Sequence, residues 1–248
     1  MDLTLWTIVI AIGALAIGGL SKGVLGVGLP MVATPILSIF APIPDVVAVT
    51  YFPILATNLY QALAGGHLTI MAKRFAPMML VTVMATPVGT FSLVRLSPGT
   101  VSILLGLAVA FFAAASLARP TLRVNPRWER PISIAAGAIG GFFGGMVLIG
   151  GPAVIMLMVA LHLKKEEFIG AMGLVYLSML VPAGVSLVGF GVLRTEHVIP
   201  GLISLIPVVA ALALGQWVRG RIDEDRFRKV LLVSMVVIGL NLIRRGIF

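Results

Sequence analysis

A glycine-rich stretch of fifteen residues occurs twice in this chain, and both copies lie within apolar sequence. The copies span residues 16–30 and 138–152, an offset of 122 residues, and seven positions are identical in the two. Glycine followed closely by proline interrupts an α-helix, and the freed backbone groups are costly in lipid unless protein or water satisfies them. An interruption that recurs in both halves of an apolar chain indicates the binding site of a membrane transporter.

Composition places the chain among membrane proteins. Of its 248 residues 59% are hydrophobic and 11% are charged, whereas about a quarter of a soluble domain is charged. We therefore predict an all-α polytopic membrane protein with the lipid bilayer as its surroundings. The net charge of +9 does not indicate nucleic acid, because the basic residues lie in short loops beside apolar spans, where they set orientation. The absence of cysteine excludes disulfides and thiolate catalysis.

Ten apolar segments divide the chain into two similar halves. They cover residues 3–25, 30–40, 46–64, 75–94 and 101–117, and then 132–149, 152–161, 168–193, 198–218 and 230–243. A crossing needs about 20 apolar helical residues, so the segment after each break reaches about half a bilayer. Similarity continues past the breaks: Asp45 matches Glu167 at the same offset, and Gly89 matches Gly215 at an offset of 126. We predict a first membrane repeat over 1–118, a basic cytoplasmic linker over 119–131 and a second repeat over 132–248.

Charge bias predicts how the repeats are oriented. If each broken pair enters and returns, thirteen basic residues fall on one side and four on the other, with Lys22 left out. This is a strong positive-inside signal, whereas counting each broken pair as a single crossing gives no preferred side. Each repeat then crosses the membrane an odd number of times, so the two copies are inverted and both termini face the periplasm. Whether the broken pair crosses twice or forms a re-entrant hairpin stays open, which gives eight to ten membrane segments.

The duplicated break has a chemical use. Each short helix begins at a proline, which suits the first helical turn, and the preceding glycines present bare N–H groups. A helix N-terminus carries about half a positive charge, so two of them facing one cavity favour an anion. The candidate substrate-binding positions in the two copies are Gly23, Gly26, Gly28 and Pro30, and Gly145, Gly150, Gly151 and Pro152. The alternative is that these glycines only permit close helix packing.

Lys22 adds a positive charge to the first copy. A lysine at mid-bilayer costs about 2.5–3.5 kcal/mol and tends to mark a substrate pathway. It can also snorkel to the interface, because it lies about 28 Å along its helix, and its repeat partner is Gly144. Weaker pocket candidates are the intramembrane polar residues Tyr51, Asn58, Gln61 and Tyr176. For these four, hydrogen bonding between helices is the simpler interpretation.

The polar residues that are missing from the spans also narrow the function. All nine acidic residues lie in loops or near segment ends, whereas a cation transporter normally places a carboxylate in the membrane interior. The spans contain no Ser/His/Asp set, paired carboxylates or metal-ligand spacing, so we predict neither an enzyme nor a bound metal or cofactor. An anion transporter fits best. An anion channel and a packing or scaffold protein remain alternatives.

The residues around both breaks resemble a known family. The stretch from Gly18 to Pro35, with its second copy ending Gly150-Gly151-Pro152, is similar to the TauE/SafE sulfite exporters (TSUP, the 4-toluene sulfonate uptake permease family). The resemblance implies a multi-pass transporter of the cell inner membrane that moves sulfite, organosulfonates or thiosulfate by alternating access. Export is the expected direction, because expelling one negative charge at 100 mV gains about 2.3 kcal/mol. The coupling ion, proton or Na⁺, and the existence of a homodimer stay open.

Reporter fusions after Phe248 test the predicted orientation. We expect alkaline phosphatase fused there to be active and green fluorescent protein to be dark, because the C-terminus should reach the periplasm. The same reporters inserted in the 119–131 linker provide the control and should behave in the opposite way. A fluorescent C-terminal fusion would contradict an odd number of membrane crossings in each repeat.

Overall fold

Helices make up nearly all of the described structure. The structure is a computed structural model that describes residues 5–64, 68–118, 123–219 and 221–248. Within these residues there are eleven α-helices and no strand. The helices are α1 (Leu5–Leu25), α2 (Leu29–Leu37), α3 (Ile43–Ala64), α4 (Leu68–Arg95), α5 (Pro98–Leu117), α6 (Pro126–Val147), α7 (Gly151–Ala160), α8 (Lys165–Gly189), α9 (Thr195–Ile203), α10 (Leu205–Val218) and α11 (Glu224–Ile247).

Eight of the described helical spans are long and apolar enough to cross a membrane. The helices that follow the two breaks are not among them, because α2 has nine residues and α7 has ten. At 1.5 Å per residue each is about 15 Å long, which is half the thickness of the bilayer core. The predicted class, an all-α polytopic membrane protein with eight to ten membrane segments, is confirmed.

The ninth predicted segment differs from the structure, because it is interrupted at Ser204 between α9 and α10. Pro207 contributes to the interruption, because it has no N–H to donate to the Ile203 carbonyl. Proline alone is not sufficient, since α4 and α8 continue through Pro77, Pro87 and Pro182. The Ser204 hydroxyl donates to the Gly201 carbonyl at 2.6 Å. The two pieces still form one candidate span, Thr195–Val218.

The predicted basic linker over 119–131 is partly helical. Helix α6 begins at Pro126, and the side chain of its N-cap, Asn125, accepts a hydrogen bond from the Arg127 N–H at 3.1 Å. Hydropathy alone places the start of this helix six residues too late, because its first turns are polar. Residues 119–122 lie outside the described part of the chain.

The chain divides into two compact units, and each contains helices from both sequence repeats. The first unit comprises Met1–Pro53, Leu96–Arg119 and Leu193–Phe248, and the second comprises Ile54–Arg95 and Pro120–Val192. The largest helix contacts are α1 with α10 and α5 with α11 in the first unit, and α4 with α6 in the second. The predicted repeats therefore do not coincide with the compact units.

Glycines bring the backbones of α1 and α10 together in the first unit. A side chain at Gly19 would overlap the Val208 carbonyl, and one at Gly23 would overlap the Leu212 carbonyl. From the first contact to the second, both α1 and α10 advance by four residues, so the two helices run parallel. Small residues at such a contact let two helix backbones approach closely, which is the main source of helix association in lipid.

The second unit repeats this contact with α6 on α4. Gly141 lies against Thr82 and Gly145 against Thr86. These glycines are 122 residues after Gly19 and Gly23, and their partners are 126 residues before Val208 and Leu212. The sequence duplication is therefore matched by duplicated helix contacts, at both offsets found in the sequence.

The last helices of the two repeats, α5 and α11, pack against each other in antiparallel directions. Gly99 contacts Gly246 and Gly106 contacts Gly239, so the residue number increases along α5 while it decreases along α11. Equivalent helices related by a two-fold axis in the membrane plane would pack in this way. The inversion of the complete halves stays a prediction.

The packing glycines can be tested with a pair of alanine variants. In Gly145→Ala the new methyl group would overlap the Thr86 carbonyl, and we expect a loss of about 1–3 kcal/mol of stability, as for other overpacked sites. Gly13→Ala is the matched control, because nothing lies within 4 Å of its added carbon. Thermal unfolding in detergent should show a lower Tm for Gly145→Ala only. Equal Tm values would contradict the contact.

Candidate functional site

Two glycines with left-handed backbone form the first break. Helix α1 is closed by Gly26, which has φ 79° and donates its N–H to the Lys22 carbonyl at 2.9 Å. Gly28, the N-cap of α2, has φ 116°. Residues with a Cβ rarely adopt either conformation, which favours glycine at both positions. The glycine pattern of the sequence predicted this turn.

The second break ends its first helix in the same way but with a leucine. Leu148 closes α6 with φ 59°, and its N–H bonds to the Gly144 carbonyl at 3.0 Å. Leu148 lies 122 residues after Gly26, so the two turns are equivalent. A leucine costs roughly 1–2 kcal/mol in this conformation. Sequence reasoning missed it, and the only signal was its alignment with Gly26.

The N-terminus of α2 keeps a bare backbone donor inside the protein. Gly28 offers no capping side chain, and Pro30 has no N–H. The first α-helical bond runs from the Val32 N–H to the Gly28 carbonyl at 3.0 Å. Among the described residues nothing accepts the Met31 N–H, although this turn is buried. The arrangement suits an anion, because it combines a free donor with the positive end of a helix.

Lys22 is buried next to this helix. It is 6% exposed, and it lies one turn after Gly18, which packs on Leu29 and Ala33 of α2. Residues four apart share a helix face, so Lys22 lies along the side of α1 that meets α2. In the described part of the chain its ammonium has neither a hydrogen-bond acceptor nor a carboxylate partner, and it is not among the fully buried unpaired atoms, so it keeps some accessible surface. An unpaired buried charge is costly, which favours a site that an anion completes.

The second unit shows where a side chain at this repeat position lies. A side chain at Gly144, the equivalent of Lys22, would meet the sulfur of Met179, and one at the α7 N-cap Gly150 would meet the same sulfur. The position is therefore adjacent to the N-cap of the short helix. Met179 is 2% exposed and fills this space in the second copy, whereas the first copy has a lysine there.

Two further polar side chains contact the first break. The Ser21 hydroxyl is buried and donates to the Val27 carbonyl at 3.4 Å. Arg219, which follows α10, donates from Nε to the Val24 carbonyl at 2.5 Å, and its guanidinium is the group closest to a side chain added at Gly26. Arg219 is thus a second cation at the end of α1. The sequence placed it only among loop charges, because its neighbour α1 is 195 residues away.

Helix α2 also carries an unpaired hydroxyl that sequence reasoning missed. Thr34 Oγ1, one turn after Pro30, is the one fully buried side-chain polar atom without a hydrogen-bond partner among the described residues. No motif singled out this threonine in an otherwise apolar helix. Its hydroxyl can donate one hydrogen bond and accept up to two.

The remaining glycine and proline candidates are placed as follows. Gly23 and Gly145 lie in helix contacts, and the Gly145 carbonyl accepts a hydrogen bond from the Thr90 hydroxyl at 2.9 Å. Gly151 and Pro152 are the first residues of α7, but their side-chain surroundings lie outside what the structure describes. Some glycines of the motif, such as Gly23 and Gly145, therefore serve helix packing, whereas others, Gly26 and Gly28, form the turn.

The polar candidates of α3 and α8 are buried. Tyr51 packs edge-on against Phe52 with ring centroids 5.7 Å apart, and the Asn58 side-chain amide donates to the Ile54 carbonyl of its own helix at 2.7 Å. Gln61 is 9% exposed and Tyr176 is 5% exposed. The hydrogen bond of Asn58 thus lies within α3, whereas the simpler interpretation expected one between helices.

Comparison with known proteins gives one finding. No curated protein and no solved structure matches the chain significantly. A family model, described as sulfite exporter TauE/SafE, matches residues 10–242. The match covers nearly the whole chain and includes both breaks, Lys22 and the glycines that α1 and α6 pack on α10 and α4. The chain belongs to the TauE/SafE sulfite exporter family.

Proposed function

We propose that this protein is a secondary transporter that exports small sulfur oxyanions or organosulfonates through the cell inner membrane, with both termini in the periplasm. The family comprises membrane transporters of sulfur anions rather than enzymes. The observation that carries the proposal is the buried, unpaired Lys22 on the side of α1 that meets α2, whose first turn has a bare N–H.

The chemistry of a sulfite or sulfonate group suits these donors. The group presents three oxygens around a sulfur and carries negative charge, so it accepts several hydrogen bonds at once. Lys22 offers three N–H donors without an acceptor of its own, and the Met31 amide adds a fourth. Charge-assisted bonds of this kind are roughly twice as strong as neutral ones. The proposed site holds the anionic head, and the rest of the molecule determines which sulfur compound is accepted.

A carrier mechanism is supported by the duplicated construction. The contacts of α1 on α10 recur as those of α6 on α4, and transporters built from repeats alternate access by moving repeats around a fixed site. The inside-negative potential favours export of an anion by about 2.3 kcal/mol per charge at 100 mV. Export therefore needs no coupling ion, and we propose that none is required.

Flux measurements test the function directly. Purified protein in liposomes should take up radiolabelled sulfite or a sulfonate in preference to sulfate, with the membrane potential and the pH gradient set independently. We expect saturable flux that follows the potential and persists without a pH or Na⁺ gradient. Large, non-saturating electrical currents would instead indicate an anion channel.

Lys22→Gln tests the proposed anion site. The change removes the charge and keeps a side chain of similar length, and a hydrogen bond to a charged group contributes about 1.5–3 kcal/mol. The half-saturating sulfite concentration should therefore rise about tenfold to a hundredfold. Lys229→Gln, which removes an exposed lysine of α11, should leave it unchanged. Normal sulfite flux in Lys22→Gln would refute the site.

Gly26 provides a test of the turn itself. Asparagine tolerates left-handed backbone far better than a β-branched residue, so Gly26→Asn should retain most flux. Gly26→Val should lose flux and stability, because β-branching at φ 79° adds strain of roughly 1–3 kcal/mol. Expression, Tm and sulfite flux should be compared for the two variants. If both behave alike, the left-handed turn is not what the position requires.

A further inference from the structure

A polar pocket lies between the N-terminal parts of α4 and α6 in the second unit. Its volume is about 300 Å³, and its lining includes Lys73 and Arg74 from α4 and Pro126, Glu129 and Arg130 from α6. Pockets for small ligands begin at about this size. None of these residues belongs to either break, so the pocket is separate from the proposed transport site.

An ion pair holds the two sides of the pocket together. Arg74 donates to Glu129 through two parallel bonds, Nε to Oε1 at 2.6 Å and Nη2 to Oε2 at 3.0 Å. Such bidentate pairs fix geometry as well as charge. Because Arg74 is on α4 and Glu129 on α6, the pair sets the spacing of the helix ends, and the pocket is formed before any ligand arrives.

The pocket has more positive charge than this pair can neutralise. Lys73 and Arg130 also line it, and in the described structure neither side chain has an acceptor or an acidic partner. Three cations and one carboxylate thus line the pocket, and a second carboxylate, Glu167 of α8, interacts with Arg74 from outside the lining. The first turn of α6 adds the positive end of a helix at Pro126. An anionic group with several oxygens fits this environment.

The surroundings indicate that the anion is part of a lipid. Trp128, within the first turn of α6, is 59% exposed, and exposed tryptophan is typical of the level of lipid headgroups. Further along the same two helices, Leu80 is 62% exposed and Ile134 is 38% exposed. A charged pocket with apolar surface beyond it matches a phospholipid, which has a phosphodiester head and two acyl chains.

We propose that this pocket binds the phosphodiester headgroup of an anionic phospholipid, such as phosphatidylglycerol, on the predicted cytoplasmic side. Basic pockets between transmembrane helices on that side are suited to anionic headgroups. Lys73 and Arg130 contact the phosphate oxygens, and the Arg74–Glu129 pair keeps the site open. The bound lipid joins α4 to α6, the helix that leads into the second break.

Lipid titration of the purified full-length protein tests the proposal. Phosphatidylglycerol added to the detergent-solubilised protein should raise the Tm and be retained in native mass spectra, whereas phosphatidylcholine should do neither. In the double variant Lys73→Gln/Arg130→Gln the half-saturating phosphatidylglycerol concentration should rise at least about tenfold, since each basic residue beside anionic lipid contributes about fivefold. All substitutions are at exposed positions, so the variant should fold.

Two controls make the result decisive. Lys164→Gln/Lys229→Gln also removes two exposed positive charges but lies outside the pocket lining, and it should bind phosphatidylglycerol like the unmodified protein. Equal weakening in both double variants would overturn the site in favour of general charge attraction. Equal protection by soluble glycerol 3-phosphate would overturn the lipid assignment. Unchanged lipid binding in the pocket variant would overturn the proposal as a whole.

Discussion

Close backbone contact at glycine is the interaction on which this fold depends. Lipid provides no hydrophobic drive to bring apolar helices together, so association rests on packing and on hydrogen bonds. Gly19 and Gly23 allow this contact with α10, and Gly141 and Gly145 allow it with α4. In the second pair, hydrogen bonding adds to packing, because the Thr90 hydroxyl donates to the Gly145 carbonyl at 2.9 Å. Each broken helix is thereby fixed one to two turns before it ends, which determines where its short successor begins.

The two breaks share a backbone but differ in chemistry. Gly26 and Leu148 close their helices with the same left-handed turn and the same bond four residues back. The position one turn earlier is Lys22 in the first copy and Gly144 in the second, where the Met179 sulfur lies close. Duplication therefore preserved the turn, while substitution put a charge in one copy and left room for an apolar thioether in the other. We therefore propose that recognition of the anion's charge belongs to the first break.

Most of the architecture could be predicted from the sequence, because membrane helices are determined by local apolar length. The predicted segments agree with the helices to within four residues, except that α4, α6 and α11 begin six or seven residues earlier than predicted, because basic residues lie in their first turns. The interruption at Ser204 was missed, although Pro207 was a local signal for it. What the sequence could not provide were long-range contacts. Arg219 reaches α1 across 195 residues, and nothing near Met179 in the chain indicates that it lies against the second break.

The cost of burying Lys22 is itself an argument about its role. A lysine at the bilayer centre raises the free energy by about 2.5–3.5 kcal/mol on insertion scales, and an unpaired one inside a protein is likewise costly. Here no carboxylate offsets that cost within the described structure, and the adjacent α2 terminus is also positive. A carboxylate beside Lys22 would stabilise the empty protein, but it would also neutralise the charge that attracts an anion. A lysine kept beside the positive end of a helix is stabilised when an anion binds between them. If Lys22 binds the substrate as proposed, the missing carboxylate has a use, because the favourable charge interaction that the empty protein lacks becomes available to the anion.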